Sequence, residues 1–185
     1  MTTVVPETVR TARLTLLPLA AVHADEMAAA LSDPALHTFV GGTPATAQAL
    51  RTRYARLAAG SPDPAVTWCN WVVQLRAPGS PEGTVPGSPS GTAAGSLTGT
   101  VQATVTGDGL EAEIAWVVGT PWQRHGIATE AARGLVAWLR GRGVRTVTAH
   151  IHPGHTASAA VATAAGLTPT GRWHDGEVRW ELTIR

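Results

Sequence analysis

The sequence predicts an α/β (mixed α+β) protein in which a mixed β-sheet carries helices on both faces. Three observations lead there. Strand-like and helix-like segments follow one another in mixed order along the 185 residues, not in separate blocks. The chain is 44% apolar and only 15% charged, with seven Trp, the composition of a folded globule. Its length suits a single domain, 1–185, able to bury roughly 70% of its unfolded surface without staples. Fourteen Lys and Arg against thirteen Asp and Glu leave a net charge of +1, so no field of one sign recruits nucleic acid or anionic lipid. Cys69, the single cysteine, excludes an internal disulfide framework and a cysteine zinc cluster. No apolar run reaches the roughly 18 residues of a membrane span, and the opening MTTVVPETVRTARL lacks the regions of a signal peptide. A soluble cytoplasmic protein, monomer or homodimer, is the expectation.

The elements read in order. Arg13 to Leu19 is a first strand. Val22 to Leu31 is helical, with Met27, Ala30 and Leu31 on one face and Pro34 beyond its end. Ser32 to Gly42 is a loop holding Phe39. A second helix is expected to start at the cap Thr43 with Pro44 at its first position, and to end at Gly60. Val66 to Leu75 is a strand with Trp68 and Trp71 in it. Residues 77–92, APGSPEGTVPGSPSGT, are too rich in Pro, Gly and Ser to bury a face and read as a long flexible loop between strands. Ala94 to Thr106 and Leu110 to Val118 are strands about an Asp108-Gly109 turn. A helix from Ile127 to Arg140 places Ile127, Ala131, Leu135, Trp138 and Leu139 on one face. Val144 to Ile151 is a strand and Thr156 to Ala165 a short helix closed by Gly166. Leu167 to Arg185 makes two strands around His174-Asp175-Gly176.

The run of residues 114–132 carries the chemistry. A strand enters the short loop Gln123-x-x-Gly126-x-Ala128, which opens a helix. A helix N-terminus presents unpaired N–H groups and a partial positive charge, and Gly and Ala there admit a phosphate close to the backbone. The loop is therefore suited to a pyrophosphate.

This spacing resembles motif A, (Q/R)-x-x-G-x-(G/A), of the GNAT superfamily of acyl-CoA-dependent acetyltransferases. Glu113-Ile-Ala-Trp-Val-Val and Trp122-Gln-Arg-His-Gly-Ile-Ala-Thr-Glu-Ala resemble its RimJ/RimL-like branch, as does the first strand Thr11-Ala-Arg-Leu-Thr-Leu-Leu-Pro-Leu. Pro153-Gly-His-Thr-Ala-Ser158 and Ala164-Ala-Gly-Leu167 resemble motif B, usually P-x-N-x-x-S followed by Gly-Phe or Gly-Leu. The resemblance implies six or seven strands that splay between the fourth and fifth, with acetyl-CoA as co-substrate in the wedge. Trp116, Val117 and Val118 would pair with the pantetheine amides, and a backbone N–H of Val118 or Val117 would hold the oxyanion. Gln123, Arg124, His125, Gly126, Ile127, Ala128 and Thr129 would hold the pyrophosphate. Ser158 would sit near the thiol sulfur, and His155, standing where motif B carries Asn, would face the pantetheine arm or do acid–base work. Glu113 matches the base proposed in relatives. The Tyr that many relatives use as general acid is absent, since Tyr54 is the only Tyr and lies on the second helix.

Phe39, Trp68, Trp71 and Trp173 are the residues expected near the acceptor, a small-molecule amine or a peptide N-terminus. His150, His152 and His155 form H-x-H-x-x-H, a possible zinc set, but no carboxylate or Cys completes it nearby and no metal is expected. The resulting expectation is an N-acetyltransferase acting by direct amine attack. Another acyl or aminoacyl donor on this scaffold, or a non-catalytic acyl-CoA-binding module, are the alternatives.

Overall fold

The computed structural model describes residues 4–39, 41–76 and 95–185. The segment 77–92, read from sequence as a flexible loop, lies outside the described residues. The strands are β1 (Val9–Arg10), β2 (Leu14–Pro18), β3 (Thr67–Leu75), β4 (Leu97–Thr106), β5 (Glu111–Val118), β6 (Thr146–Ile151), β7 (Thr168–His174) and β8 (Glu177–Thr183). The α-helices are α1 (Ala24–Ala30), α2 (Ala47–Ala58), α3 (Ile127–Gly141) and α4 (Thr156–Ala164). All eight strands form one sheet in the order β1-β2-β3-β4-β5-β6-β8-β7. The expected count of six or seven is exceeded because the two-residue β1 pairs ahead of the first predicted strand.

Every neighbouring pair is antiparallel except β5 and β6, the pair that α3 joins. A parallel pair requires a crossover, and the helix supplies it. The pairing of β5 with β6 covers only Glu111↔Thr146, Ala112↔Val147 and Glu113↔Thr148. Beyond Glu113 the two strands part, and the wedge expected between the fourth and fifth strands therefore lies between β5 and β6 in the present numbering.

The two faces bury different helices. Ile127, Ala131, Leu135, Trp138 and Leu139, the predicted stripe of α3, are all buried against Leu14, Leu16, Trp71, Val101 and Ile114 of the sheet. Met27 and Ala30 of α1 and Leu50 and Tyr54 of α2 cover the opposite face over Val72 and Leu97. The predicted start of α2 is corrected. Its cap is Thr46, not Thr43, because the Thr46 hydroxyl accepts the Ala49 N–H at 3.1 Å and its extended backbone (φ −68°, ψ 158°) ends the approach.

Glu130, in the first turn of α3, ties that helix to the start of β2. Its Oε1 accepts from the Thr11 hydroxyl at 2.5 Å and the Arg13 N–H at 2.6 Å, and its Oε2 accepts from Arg13 Nε at 2.7 Å. Arg13 Nη1 also donates to the His125 carbonyl at 2.9 Å, so one guanidinium fixes both the helix and the loop before it. Burial alone would raise the Glu130 carboxyl, but the hydrogen bonds from Thr11 and Arg13 outweigh it and hold it below the ordinary range. A depressed carboxylate stabilises the fold above its unfolded value, and that contribution is lost as pH falls through the lower folded one. Glu130→Ala is expected to cost about 1–3 kcal/mol in denaturant unfolding near neutral pH, since it leaves donors unmet. The difference from wild type should shrink as the pH drops below the carboxylate range.

Candidate active site

The wedge presents an open strand edge. Gly119 N–H donates to the carbonyl of Thr98, near the start of β4, which fixes the phase of the ladder. In register with it, Thr100↔Val117 and Gln102↔Ala115 are the pairs that exchange hydrogen bonds, so the backbone groups of Val117 face β4. Alternation turns the N–H and C=O of Ile114, Trp116 and Val118 away from β4 and into the wedge. The Val118 carbonyl is taken up by Gln123, whose Nε2 donates to it at 3.0 Å. Gln123 thus pins the following loop against the end of β5.

That loop ends at Gly126, which takes φ 75° as the residue before α3. A Cβ there would stand 3.2 Å from Arg13 Nη2, besides the strain of the left-handed backbone. Arg124 is also left-handed, at φ 64°, so the loop is tightly wound. No side chain caps the helix. The N–H groups of Ile127, Ala128 and Thr129 have no acceptor within α3, which leaves a cluster of donors at a positive helix end. Glu130 N–H bonds the Gly126 carbonyl, where the helical ladder begins. Free N–H donors at a positive helix end fit an anionic group such as a pyrophosphate.

Across the wedge, His155 is the cap of α4. Its Nδ1 accepts the Ser158 N–H at 3.4 Å, an acceptor role that needs the neutral ring. Phe39 stacks on it, with centroids 4.3 Å apart and planes at 20°, and also leans on His152 at 5.3 Å. Burial lowers the His155 pKa, the nearby His152 adds to this, and Glu177 opposes it. Ser158 stands in the first turn of α4, half-buried.

A cavity of about 360 Å³ lies under α1 and α2 and meets the wedge. Leu19, Leu50 and Tyr54 line it from above, Asn70 and Gln102 from the sheet, and Ala115, Trp116, Val117 and His155 from the two sides of the wedge. Tyr54 therefore borders the site despite its place on the second helix, and burial raises its pKa while Arg53 opposes the shift. Asn70 and Gln102 carry the amide side chains of this lining, among strands that also hold Thr and Gln elsewhere.

Glu113 sits on the same face as Ala115, at the last paired position before the strands part. Its Oε1 lies 3.0 Å from His150 Nδ1, and the His150 side chain is 15% exposed against 56% for Glu113. Two residues of strand, about 7 Å, separate Glu113 from the cavity wall at Ala115. The register aligns Trp68, Thr104, Glu113 and Thr148 across this face.

The remaining expected residues are dispersed. Trp71 is among the residues that line the cavity, but it is fully buried, its ring edge-on to Trp138 at 4.9 Å on the α3 face and its Nε1 donating to the Glu7 carbonyl at 2.8 Å. Its ring is committed to the core because odd-numbered residues of β3 point to α3. Trp68 is half-buried and is not among the cavity lining, and Trp173 is exposed on β7. Burial pushes the Cys69 thiol up to about 12, which leaves it an inert core residue. Among the described residues no group of three or more His, Cys, Asp or Glu side chains is placed to hold a metal ion. No helix among them is long and apolar enough to cross a membrane.

The His155 cap gives a test of stability. His155→Asn should leave thermal stability nearly unchanged, because Asn is a strong cap, whereas His155→Ala should cost about 1 kcal/mol. The sign of the pH effect follows from the lowered pKa. The folded state favours the neutral ring, so this contribution is present above the ordinary histidine range and is lost as pH falls through the lower folded value. Tm profiles of wild type and His155→Asn should diverge on acidification, the wild type falling faster.

Comparison with known proteins places this geometry. The family model for the acetyltransferase (GNAT) domain matches residues 13–168. No curated protein sequence matches the chain. Among solved structures, a GNAT-family acetyltransferase from Bacillus anthracis superposes with a TM-score of 0.73 at 16% identity, covering 96% of this chain and 98% of the other. AAC(6')-Ib in complex with paromomycin and acetyl-CoA gives 0.69 at 16% identity over 92% and 93% of the two chains. A structure described as a ribosomal-protein-serine acetyltransferase from Vibrio cholerae gives 0.66 at 15% identity over 96% and 98%. The chain belongs to the GNAT acetyltransferase family.

Proposed function

We propose that this protein transfers an acetyl group from acetyl-CoA to a primary amine, by direct attack of the amine nitrogen. The observation that carries the reading is a convergence. The open β5 edge, the uncapped N-terminus of α3 and a cavity with lining from both sides of the wedge meet at one place. AAC(6')-Ib, solved with acetyl-CoA and an aminoglycoside, shares this fold and supports the choice of donor and of an amine acceptor. The Vibrio cholerae structure supports, by its description, a protein acceptor as the second form of the same reaction.

The donor, when bound, supplies an acetyl group activated as a thioester. The backbone N–H groups of Gly126 to Thr129 are the ligands for its pyrophosphate, with Arg124 and His125 beside them. Trp116 and Val118 offer the strand edge to its amide arm, and their N–H groups are the donors for charge developing on the carbonyl oxygen. Val117 contributes its side chain to the cavity wall, because its own backbone groups are spent on β4. His155 and Ser158 flank the opposite side. In the transfer the nitrogen lone pair forms the N–C bond, the C–S bond breaks with its electron pair on sulfur, and the nitrogen's proton passes toward Glu113. A leaving thiol of pKa about 8.5 needs no strong acid. Glu113 is the proton acceptor through intervening water, and His150 is a positioning residue that holds its carboxylate.

Two measurements test this. CoA at a hundredfold excess over its Kd should stabilise the protein by about 2.7 kcal/mol in a thermal-shift assay. Gly126→Glu should abolish the shift, by adding a Cβ to a left-handed position and a negative charge to an anion site. An unchanged Tm for the wild type at millimolar CoA and acetyl-CoA would remove the donor assignment. For the base, Glu113→Gln should lower kcat/KM by at least about 10² with the KM for acetyl-CoA little changed, and should alter the acidic limb of the pH profile. A loss under about tenfold with an unchanged profile would make Glu113 structural.

A further inference from the structure

The cavity has a chemical bias that bears on its acceptor. Leu19, Leu31, Leu36, Leu50 and Leu57 make its walls apolar. Arg53, His37 and His155 are its basic groups, and among the described residues no Asp or Glu lines it. The two arginines on one turn of α2 differ in a telling way. Arg51 is held by Asp25 through Nη2 at 2.6 and 2.8 Å and takes no part in the cavity. Arg53 faces the cavity and has no hydrogen bond or ion pair with a described residue. His37 is engaged through Nδ1, 3.0 Å from the Gly41 carbonyl, and His155 through Nδ1, which accepts the Ser158 N–H as a neutral ring, so Arg53 is the permanent cation of the lining.

Electrostatics then restricts the acceptor. A polyamine or a polycationic sugar would place several ammonium groups beside Arg53 with no counter-charge in the lining, and like charges disfavour the protonated form. For the reacting amine itself the same bias helps, because only the neutral nitrogen attacks. A carboxylate on the acceptor would pair with the exposed Arg53 of the cavity lining. The volume, near the lower end of the roughly 300–1,000 Å³ of ligand pockets, suits an apolar body of one or two residues.

We infer that the acceptor is a small amine joining an apolar body to one carboxylate, as in a hydrophobic α-amino acid or dipeptide, and that Arg53 determines this specificity. The inference rests on the acetyl-transfer reading above and narrows it to a substrate class. Acetylation is followed by CoA release and product mass with L-leucine, glycyl-L-leucine, their C-terminal amides and spermidine. Binding of N-acetyl-L-leucine and N-acetyl-L-leucinamide is measured in parallel by calorimetry, which needs no turnover. The acid should be preferred over its amide by at least about tenfold in wild type, as expected of a hydrogen bond to a charged group. In Arg53→Gln the preference should fall below about threefold, with the KM for acetyl-CoA unchanged. Arg53 is exposed, so the variant keeps its fold. Preference for an amide or for spermidine, or an acid preference that survives Arg53→Gln, overturns the proposal. Failure of the transfer reading is distinct: CoA then gives no thermal shift and no amine is acetylated, while the calorimetric pair still decides whether Arg53 selects a carboxylate.

Discussion

The parallel pairing of β5 with β6 stops after three residue pairs, and the rest of the site depends on that stop. Backbone donors and acceptors in a partly enclosed position need partners. Had the ladder continued past Glu113, the outward groups of Ile114, Trp116 and Val118 would be met by β6 and the sheet would close. The parting strands instead leave a polar edge inside a largely apolar body. α3 springs from the end of β5 and packs across the sheet, so its N-terminus must lie at the mouth of the same gap. α4 follows β6 and brings His155 to the other side. A single interruption in one ladder thus sets the strand edge, the helix dipole and the cavity around a common point.

Two side-chain ties keep that interruption in place. Gln123 holds the start of the loop by donating to Val118, and the Arg13–Glu130 pair holds its end and the first turn of α3. Each satisfies a group that would otherwise compete for a ligand, and neither occupies the three N–H groups at the helix start. The conspicuous Gln of the Gln123-x-x-Gly126 motif is therefore spent on positioning the loop. The anion-binding capacity resides in the backbone.

Much of the fold was legible because periodicity reports burial directly. The stripe Ile127, Ala131, Leu135, Trp138 and Leu139 is buried as its spacing requires, and the hairpin around His174-Asp175-Gly176 forms between β7 and β8. The start of α2 was not legible. Thr43 and Thr46 are both competent caps, and Pro44 favours the earlier one, while the structure selects the Thr that reaches Ala49. The acceptor residues were harder still. β3 is a central strand buried on both faces, so alternation separates Trp71 from Asn70 without saying which face carries helices α1 and α2. His37, Arg53, Gln102 and His155 are far apart in sequence, and only the closure of α2 over the sheet brings them to one cavity. The strand–loop–helix order places the loop before α3, whereas long-range packing alone creates the cavity under α1 and α2.

On the proposed reaction, the same packing bears on how a proton would be handled without a carboxylate in the cavity. A free alkylamine near neutral pH is mostly protonated, with a reference pKa of about 10.4. Moving it beside Arg53 and away from bulk water disfavours the charged form by both desolvation and repulsion. Were Glu113 inside the cavity, it would pair with the ammonium and stabilise the unreactive state. Its actual place, one side-chain step along β5 and tethered to His150, avoids that pairing and, on the proposed reaction, would leave a route for the proton once the nitrogen has attacked. The separation of base from binding pocket is thus consistent with binding the acceptor as the free base and discharging it only in the transfer step.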